Sequence, residues 1–318
     1  MRRRLLLALP SLLAAPALAQ PRPPIRILVG FAPGGTADQV ARIAGEAIQR
    51  RGGPNIVVEI RSGALGFIAL QAVARSAPDG TTLGIGIMGQ LAVAPVVPGS
   101  QIPLDLDREL APIAALATTP MALVVRPDAP FRSVAELVAH AKARPAGALT
   151  YGSTGNGSTN QLGAEGFAAA ADLKLTHVAY RGGTLALLDL AAGRIDLFFA
   201  NIAEVAEMVR GGQVRALALA ADAPIAMFPD LPLLTADYPS LAMGNWLGLV
   251  GPAGLPEAQQ AELAGLFLAA LADPVTTPVL ASRGLSALGE AGPAFAARIR
   301  RDRDRWAQVA KAGNIRAD

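Results

Sequence analysis

IRILVGFAPGGTAD, residues 25–38, joins an apolar run of strand length to the start of a helix through a double glycine. Residues 25–31 contain one polar side chain, Arg26, the pattern of a strand covered on both faces. Beyond the turn, Ala37, Val40, Ala41, Ile43, Ala44, Ala47 and Ile48 recur at helical spacing with Arg42, Glu46, Gln49 and Arg50 opposite, until Gly52-Gly53-Pro54 stops the helix. At such a turn the absent side chains let a ligand approach, and the first helical amides point outward unpaired, an end that attracts anions. Pro33 stiffens the approach, Thr36 can cap or donate a hydroxyl, and Asp38 organises the loop. From these residues alone a tight turn and an anion loop remain alternatives.

The same alternation runs along the chain and predicts mainly parallel sheets covered by helices. Strand-like runs at 55–60, 81–87, 110–117 and 121–127 surround a helix over about 66–76. After Pro130 a capping box, Ser133-Val134-Ala135-Glu136, opens a helix ending before Pro145. Strands at 148–154, 176–180, 195–200 and 214–220 then alternate with helices beginning near 158, 184 and 202. A proline-rich connector leads to NWLGLVGP, residues 245–252, and helices dominate the remainder. The last, FAARIRRDRDRWAQVAKA, carries Phe295, Ile299, Trp306 and Val309 on one side, so it reads as a packing helix with a solvated charged face.

The N-terminus, MRRRLLLALPSLLAAPALAQ, has basic, apolar and Ala17-Leu18-Ala19 cleavage regions in the order of a secretory signal, which predicts removal of residues 1–19. Its apolar stretch, broken by Pro10 and Pro16, falls short of the roughly 20 residues of a spanning helix. The 28 Lys and Arg against 25 Asp and Glu include Arg2, Arg3 and Arg4, so cleavage leaves a formally neutral chain. Neutrality, with aromatics at 4%, argues against a nucleic-acid partner. Cysteine is absent, which removes disulfides, thiolate nucleophiles and cysteine metal sites. The remaining length favours two domains.

A second glycine-rich turn, YGSTGNGSTNQ at 151–161, also lies between a strand and a helix, and Ser153, Thr154, Asn156, Ser158 and Thr159 add short donors. Two such turns in different domains, each presenting unmet amides to a shared gap, are a recurrent way to hold an anion. GIGIMG at 84–89 matches a dinucleotide fingerprint by letter only, because its glycines fall inside the strand and prolines 95 and 98 interrupt the segment after it. His140 falls on a charged helix face and His177 at a strand end, so both read as solvated or structural, without metal spacing. Ser153 resembles a nucleophile elbow loosely, with no histidine evidently placed to activate it.

These residues resemble the solute receptors of tripartite tricarboxylate transporters, the Bug receptors. The resemblance runs from about Arg26 to Ile315 through IRILVGFAPGGTAD, APDGTTL, SVAELVAHAKARP, LTYGSTGNGS, HVAYRGG, GRIDLFFAN, GNWLGLVGPAG and WAQVAKAGNI. It implies a type II periplasmic-binding-protein fold, two α/β lobes with two inter-lobe crossings. With crossings near Val124-Val125 and Trp246-Leu247, lobe one is 20–124 plus 247–318 and lobe two is 125–246. It further implies that a carboxylate is held at the cleft by Pro33, Gly34, Gly35, Thr36, Ala37 and Asp38, with Met88, Gly89 and Gln90. From lobe two it nominates Ser153, Gly155, Asn156, Thr159, Tyr180, Arg181, Gly182 and Asn201. The chain departs from the family where Phe199-Ala200-Asn201 replaces the usual Phe-Asp-Asn, which removes an acid and disfavours amino-acid ligands. Leu65 stands where a glycine is usual, and Arg181 where a lysine is.

The resulting expectation is a monomeric periplasmic receptor without cofactor, metal or catalysis, which binds a small organic carboxylate and passes it to a membrane permease. Its rivals are a receptor that signals to a membrane sensor kinase and a secreted serine hydrolase built on Ser153.

Overall fold

The computed structural model describes residues 23–312 and 316. The expected signal peptide lies outside them, as do residues 313–315 of the closing motif. The first strand, β1 (Ile25–Val29), lies between β2 (Ile56–Ile60) and β3 (Thr82–Ile87), parallel to both. Ile27, Leu28 and Val29 are fully buried, as an uninterrupted apolar run requires. Helix α1 (Thr36–Arg50) buries the Val40, Ala41, Ala44, Ala47, Ile48 stripe, and α2 (Phe67–Ala74) packs beside β1 and β3. Gly84 and Gly86 lie within β3, where β-carbons would press on Val73 and Leu91. Their role is close packing, not phosphate binding.

A short helix α3 (Leu106–Glu109), capped by the Asp105 carboxylate, leads into β4 (Leu110–Val125). The sequence predicts two runs here, yet β4 is one strand of 16 residues. Pro112 is accommodated beside a register shift and Pro120 at the end of a ladder, positions where the missing amide breaks no regular pairing. Lobe two adds α4 (Val134–Lys142), β5 (Thr150–Ser153), α5 (Thr159–Ala170), β6 (Thr176–Ala179), α6 (Gly183–Ala191), β7 (Leu197–Asn201), α7 (Ile202–Arg210) and β8 (Arg215–Ala220). The chain returns through β9 (Gly244–Pro252) to α8 (Glu257–Leu271), α9 (Thr276–Ser282), β10 (Ser286–Ala291) and α10 (Gly292–Ala312).

The sheets are mixed rather than mainly parallel. β1 with β2 and β3, and β5 with β6 and β7, are parallel; the crossing strands β4 and β9 run antiparallel to each other and to β3, β7, β8 and β10. Residues 110–120 of β4 pair with β9, whereas Met121–Val125 pair with β7 and β8. We therefore place the crossings at Pro120/Met121 and Met243/Gly244, earlier than Val124-Val125 and Trp246-Leu247. The unexpected β10 is a half-exposed edge strand with an irregular register, which hides its alternation. In α10, Phe295, Ile299 and Trp306 are buried as the sequence predicts; Trp246 meets Phe295 edge-on at 5.4 Å and donates to Asp302 at 2.6 Å. No single helix among the described residues is long and apolar enough to cross a membrane.

Candidate functional site

The double-glycine turn delivers α1 with Gly35 as an N-cap that has no side chain, leaving the first-turn amides to other partners. Gly34, at φ +79°, donates its amide to Asp38 Oδ2 at 2.9 Å, while Asp38 Oδ1 accepts from Arg42 Nε at 2.8 Å. Asp38 thus organises the loop, as its position suggests. The Gly35 amide reaches Ala32 O at 3.3 Å. Thr36 donates from both its amide (3.1 Å) and its hydroxyl (2.7 Å) to one oxygen, Glu204 Oε1 in the first turn of α7. Asn201 Nδ2 completes the cluster, 3.1 Å from Thr36 Oγ1 and 3.3 Å from Glu204 Oε1. A carboxylate therefore sits at the positive end of α1, and the protein itself supplies it from the opposite lobe.

Glu204 is absent from the sequence-predicted set. It follows Asn201 by three residues at a helix start, and that spacing reads as a local cap. Asn201, although the N-cap residue of α7, makes no side-chain cap bond; both side chains cross the cleft instead. Gln39 Nε2 adds a further bridge, to Gly34 O at 2.9 Å and Ala203 O at 2.8 Å. Glu204 Oε2, Asn201 Oδ1 and Asn245 Oδ1 are buried without a hydrogen-bond partner.

Two spaces lie between the lobes. The inner one, about 20 Å³, is lined by Gly35, Thr36, Ala37, Thr154, Asn160, Asn201, Glu204 and Asn245, among others. It has room for about one water-sized group. The outer one, about 310 Å³, is lined by Leu65, Ser100, Gly155, Asn156, Tyr180 and Arg181, with Thr154 shared between the two. Asn160 fixes Thr154, accepting its hydroxyl at 2.7 Å and donating to Phe199 O at 2.7 Å. Ala64 and Leu65, at φ +48° and +51°, form part of the outer wall in a left-handed conformation unfavourable to both.

The structure thus brings Gly35, Thr36, Ala37 and Asn201 to the inner space and Gly155, Asn156, Tyr180 and Arg181 to the outer one. Pro33 and Gly34 stay exposed at the rim, Pro33 O accepting from Thr184 Oγ1 at 3.4 Å. Gly182, at φ +153°, backs onto Ala32 of the other lobe. Gly89 packs near Ser158 and Thr159. Met88, Gln90 and Thr159 are buried and line neither space; Met88 belongs to the core, and Gln90 Oε1 accepts from Ile87 N at 3.0 Å. Burial and a hydrogen bond to Asp189 push the Tyr180 hydroxyl up to about 12, so it remains a neutral donor. Arg181 is exposed and carries no ion pair among the described residues.

Residues 40–315 match the family model described as tripartite tricarboxylate transporter family receptor. The chain belongs to this receptor family. BugT of Bordetella pertussis is 32% identical, over 76% of this chain and 75% of its own. An R. palustris structure with adipate is 28% identical with a TM-score of 0.87, covering 93% of this chain and 99% of that one. MatC from Rhodopseudomonas palustris with bound malate is 27% identical with a TM-score of 0.84, covering 91% and 99%. The type II periplasmic-binding-protein fold accounts for the mixed sheets and the double crossing.

Membership of this receptor family removes the hydrolase reading, although one of its premises needs correction. Parallel pairing of β5 and β6 sets Tyr151 opposite His177 and brings His177 Nε2 within 2.5 Å of Ser153 Oγ. That register is a long-range fact that spacing along the chain cannot reveal. The pair lacks the rest of a catalytic apparatus. Ser153 is fully buried and its hydroxyl accepts from the Gly155 amide at 3.0 Å; His177 stacks on Tyr151 at 4.9 Å, with no carboxylate bonded to it among the described residues. Burial pushes the His177 imidazole below its ordinary value. The chain is a solute-binding receptor, not an enzyme.

The second glycine turn also differs from expectation. Its amides close on their own loop: Gly155 N on Ser153 Oγ, Gly157 N on Gln161 Oε1 at 2.7 Å, and Ser158 N on Gly155 O at 3.2 Å. Short hydroxyls and a glutamine reaching back by one turn satisfy donors that glycine-rich composition suggested were free. This turn shapes the cleft wall; the polar contacts it offers come from Thr154 and its neighbours.

Proposed function

We propose that this receptor is exported, loses its signal peptide, and binds a small organic carboxylate between its lobes for delivery to the permease of a tripartite tricarboxylate transporter. The supporting observation is the polar space between the lobes, where Thr154, Asn156, Tyr180 and the exposed Arg181 line a cavity of about 310 Å³. The adipate and malate found with similar proteins belong to the same ligand class. In this reading the inner residues Gly35, Thr36, Ala37 and Asn201 and the outer residues Gly155, Asn156, Tyr180 and Arg181 contact the ligand. A group touching both lobes favours closure by its greater affinity for the closed form.

Calorimetry of the mature protein against mono-, di- and tricarboxylates and amino acids tests the reading. Saturable binding of at least one carboxylate-bearing compound is expected, with a melting temperature that rises with its concentration. A folded sample that binds none across the panel refutes it.

A further inference from the structure

We propose that Glu204 converts the inner end of the cleft from an anion site into a cation site, so that the ligand is an amino-carboxylate with its ammonium inward and its carboxylate toward Arg181. The inference rests on the receptor reading above and names the ligand class of that site. Glu204 Oε1 already receives Thr36 N, Thr36 Oγ1 and Asn201 Nδ2, so the anion position of α1 is filled. Further unmet acceptors line the inner space. Glu204 Oε2, Asn201 Oδ1 and Asn245 Oδ1 are all buried and unpartnered, and all three residues line the same space. Asn201 cannot offer a donor instead, because its amide nitrogen is committed to Thr36 and Glu204.

Three unmet acceptors, one of them charged, match the three donors of a primary ammonium, which accepts nothing in return. A second carboxylate in their place would meet the like charge of Glu204. A space of about 20 Å³ admits a head group of water or ammonium size and nothing larger. Thr154 lines both spaces, so the rest of the ligand extends past it toward Arg181, which carries no ion pair among the described residues. A zwitterion thus finds complementary charge at both ends. This reverses the expectation, drawn from Ala200, that amino-acid ligands are disfavoured.

The test is calorimetry on the mature protein with α-amino acids and with ω-amino acids of two to six carbons. Each is paired with the compound of equal carbon number in which a carboxylate, hydroxyl or carboxamide replaces the amine. The expected result is an amino-carboxylate binding at least about tenfold tighter than each partner, a preference that Glu204→Gln removes, as loss of a charged hydrogen-bond partner implies. Arg181→Gln should weaken the same compound. Circular dichroism melts establish that both variants fold, and the wild-type comparison stands without them. Equal or tighter binding of the dicarboxylate overturns the inference and leaves the receptor reading intact. Equal binding of the carboxamide overturns the charge assignment. Binding of no compound here overturns the inference, and the receptor reading falls with it only when the mono-, di- and tricarboxylate panel also fails to bind.

Discussion

Gly183→Ala is the substitution that most directly tests the Glu204 seat without touching Glu204. A β-carbon at residue 183 would lie 2.8 Å from Glu204 Cδ and 3.3 Å from Oε1, too close for the carboxylate to stay. The Glu204 side chain is flexible, so it swings out while α6 keeps its place. Its departure breaks two bonds between the lobes, those from the Thr36 amide and hydroxyl. Hydrogen bonds to a charged group contribute about 1.5–3 kcal/mol, and water meets both partners once the lobes part, so we assign about that amount to the pair. At about 1.4 kcal/mol per factor of ten, the closed-to-open ratio of the ligand-free protein falls about 10- to 100-fold. Small-angle scattering of the ligand-free protein reads this directly: the wild type stays compact and the variant expands. Glu204→Ala should give the same expansion, and the double variant no more, because both changes remove one interaction. A folded Gly183→Ala protein that scatters like the wild type, or additive effects in the double variant, would refute the assignment.

Gly265 lies on the exposed face of α8, where an added β-carbon would meet no atom within 4 Å, so Gly265→Ala should stabilise lobe one by about 1 kcal/mol, the helix-propensity difference. A melting temperature unchanged or lowered counts against that placement. His177 is held below its ordinary value of 6.5 by burial. Its contribution to stability is complete above about pH 6.5 and is lost as pH falls below that value, because the unfolded chain takes the proton first. Urea unfolding at pH 8 and 5.5 should show a smaller drop for His177→Gln than for the wild type. His140 is shifted in the same direction, by burial first and then by Arg144, so His140→Gln serves as the comparison. Asn160→Leu strands the Thr154 hydroxyl and the Phe199 carbonyl, and should cost about 1–3 kcal/mol in urea unfolding.

The features that the sequence discloses and those that it hides divide along the range of the interactions. The β1 strand, the double-glycine turn and the α1 stripe are local patterns, and they recur in the structure at nearly the expected bounds. Asp38 closing on Gly34 is equally local. The direction of β4 and β9, the register that brings His177 to Ser153, and the edge strand β10 depend on residues far apart in the chain. The family resemblance supplied the two-lobe architecture that periodicity could not. Composition misled at 151–161, where glycine and serine suggest free amides although Gln161 and Ser153 satisfy them.

Ala200 and Glu204 show why reading a site position by position falls short. Judged by the family resemblance alone, Ala200 stands where an acid is expected, which suggests a pocket without negative charge. In the structure Ala200 is fully buried in an apolar cluster with Val124, Ile202 and Val205, while its neighbour Asn201 lines the inner space, as strand alternation dictates. An acid is nevertheless present, carried by the first turn of the following helix and directed across the cleft to α1. The charge count of the pocket therefore depends on where a flexible side chain can reach from a fixed helix start, a quantity no single position records. The same reach makes Glu204 both a latch between the lobes and a lining of the cleft, so any ligand that closes this receptor must be compatible with the carboxylate already there.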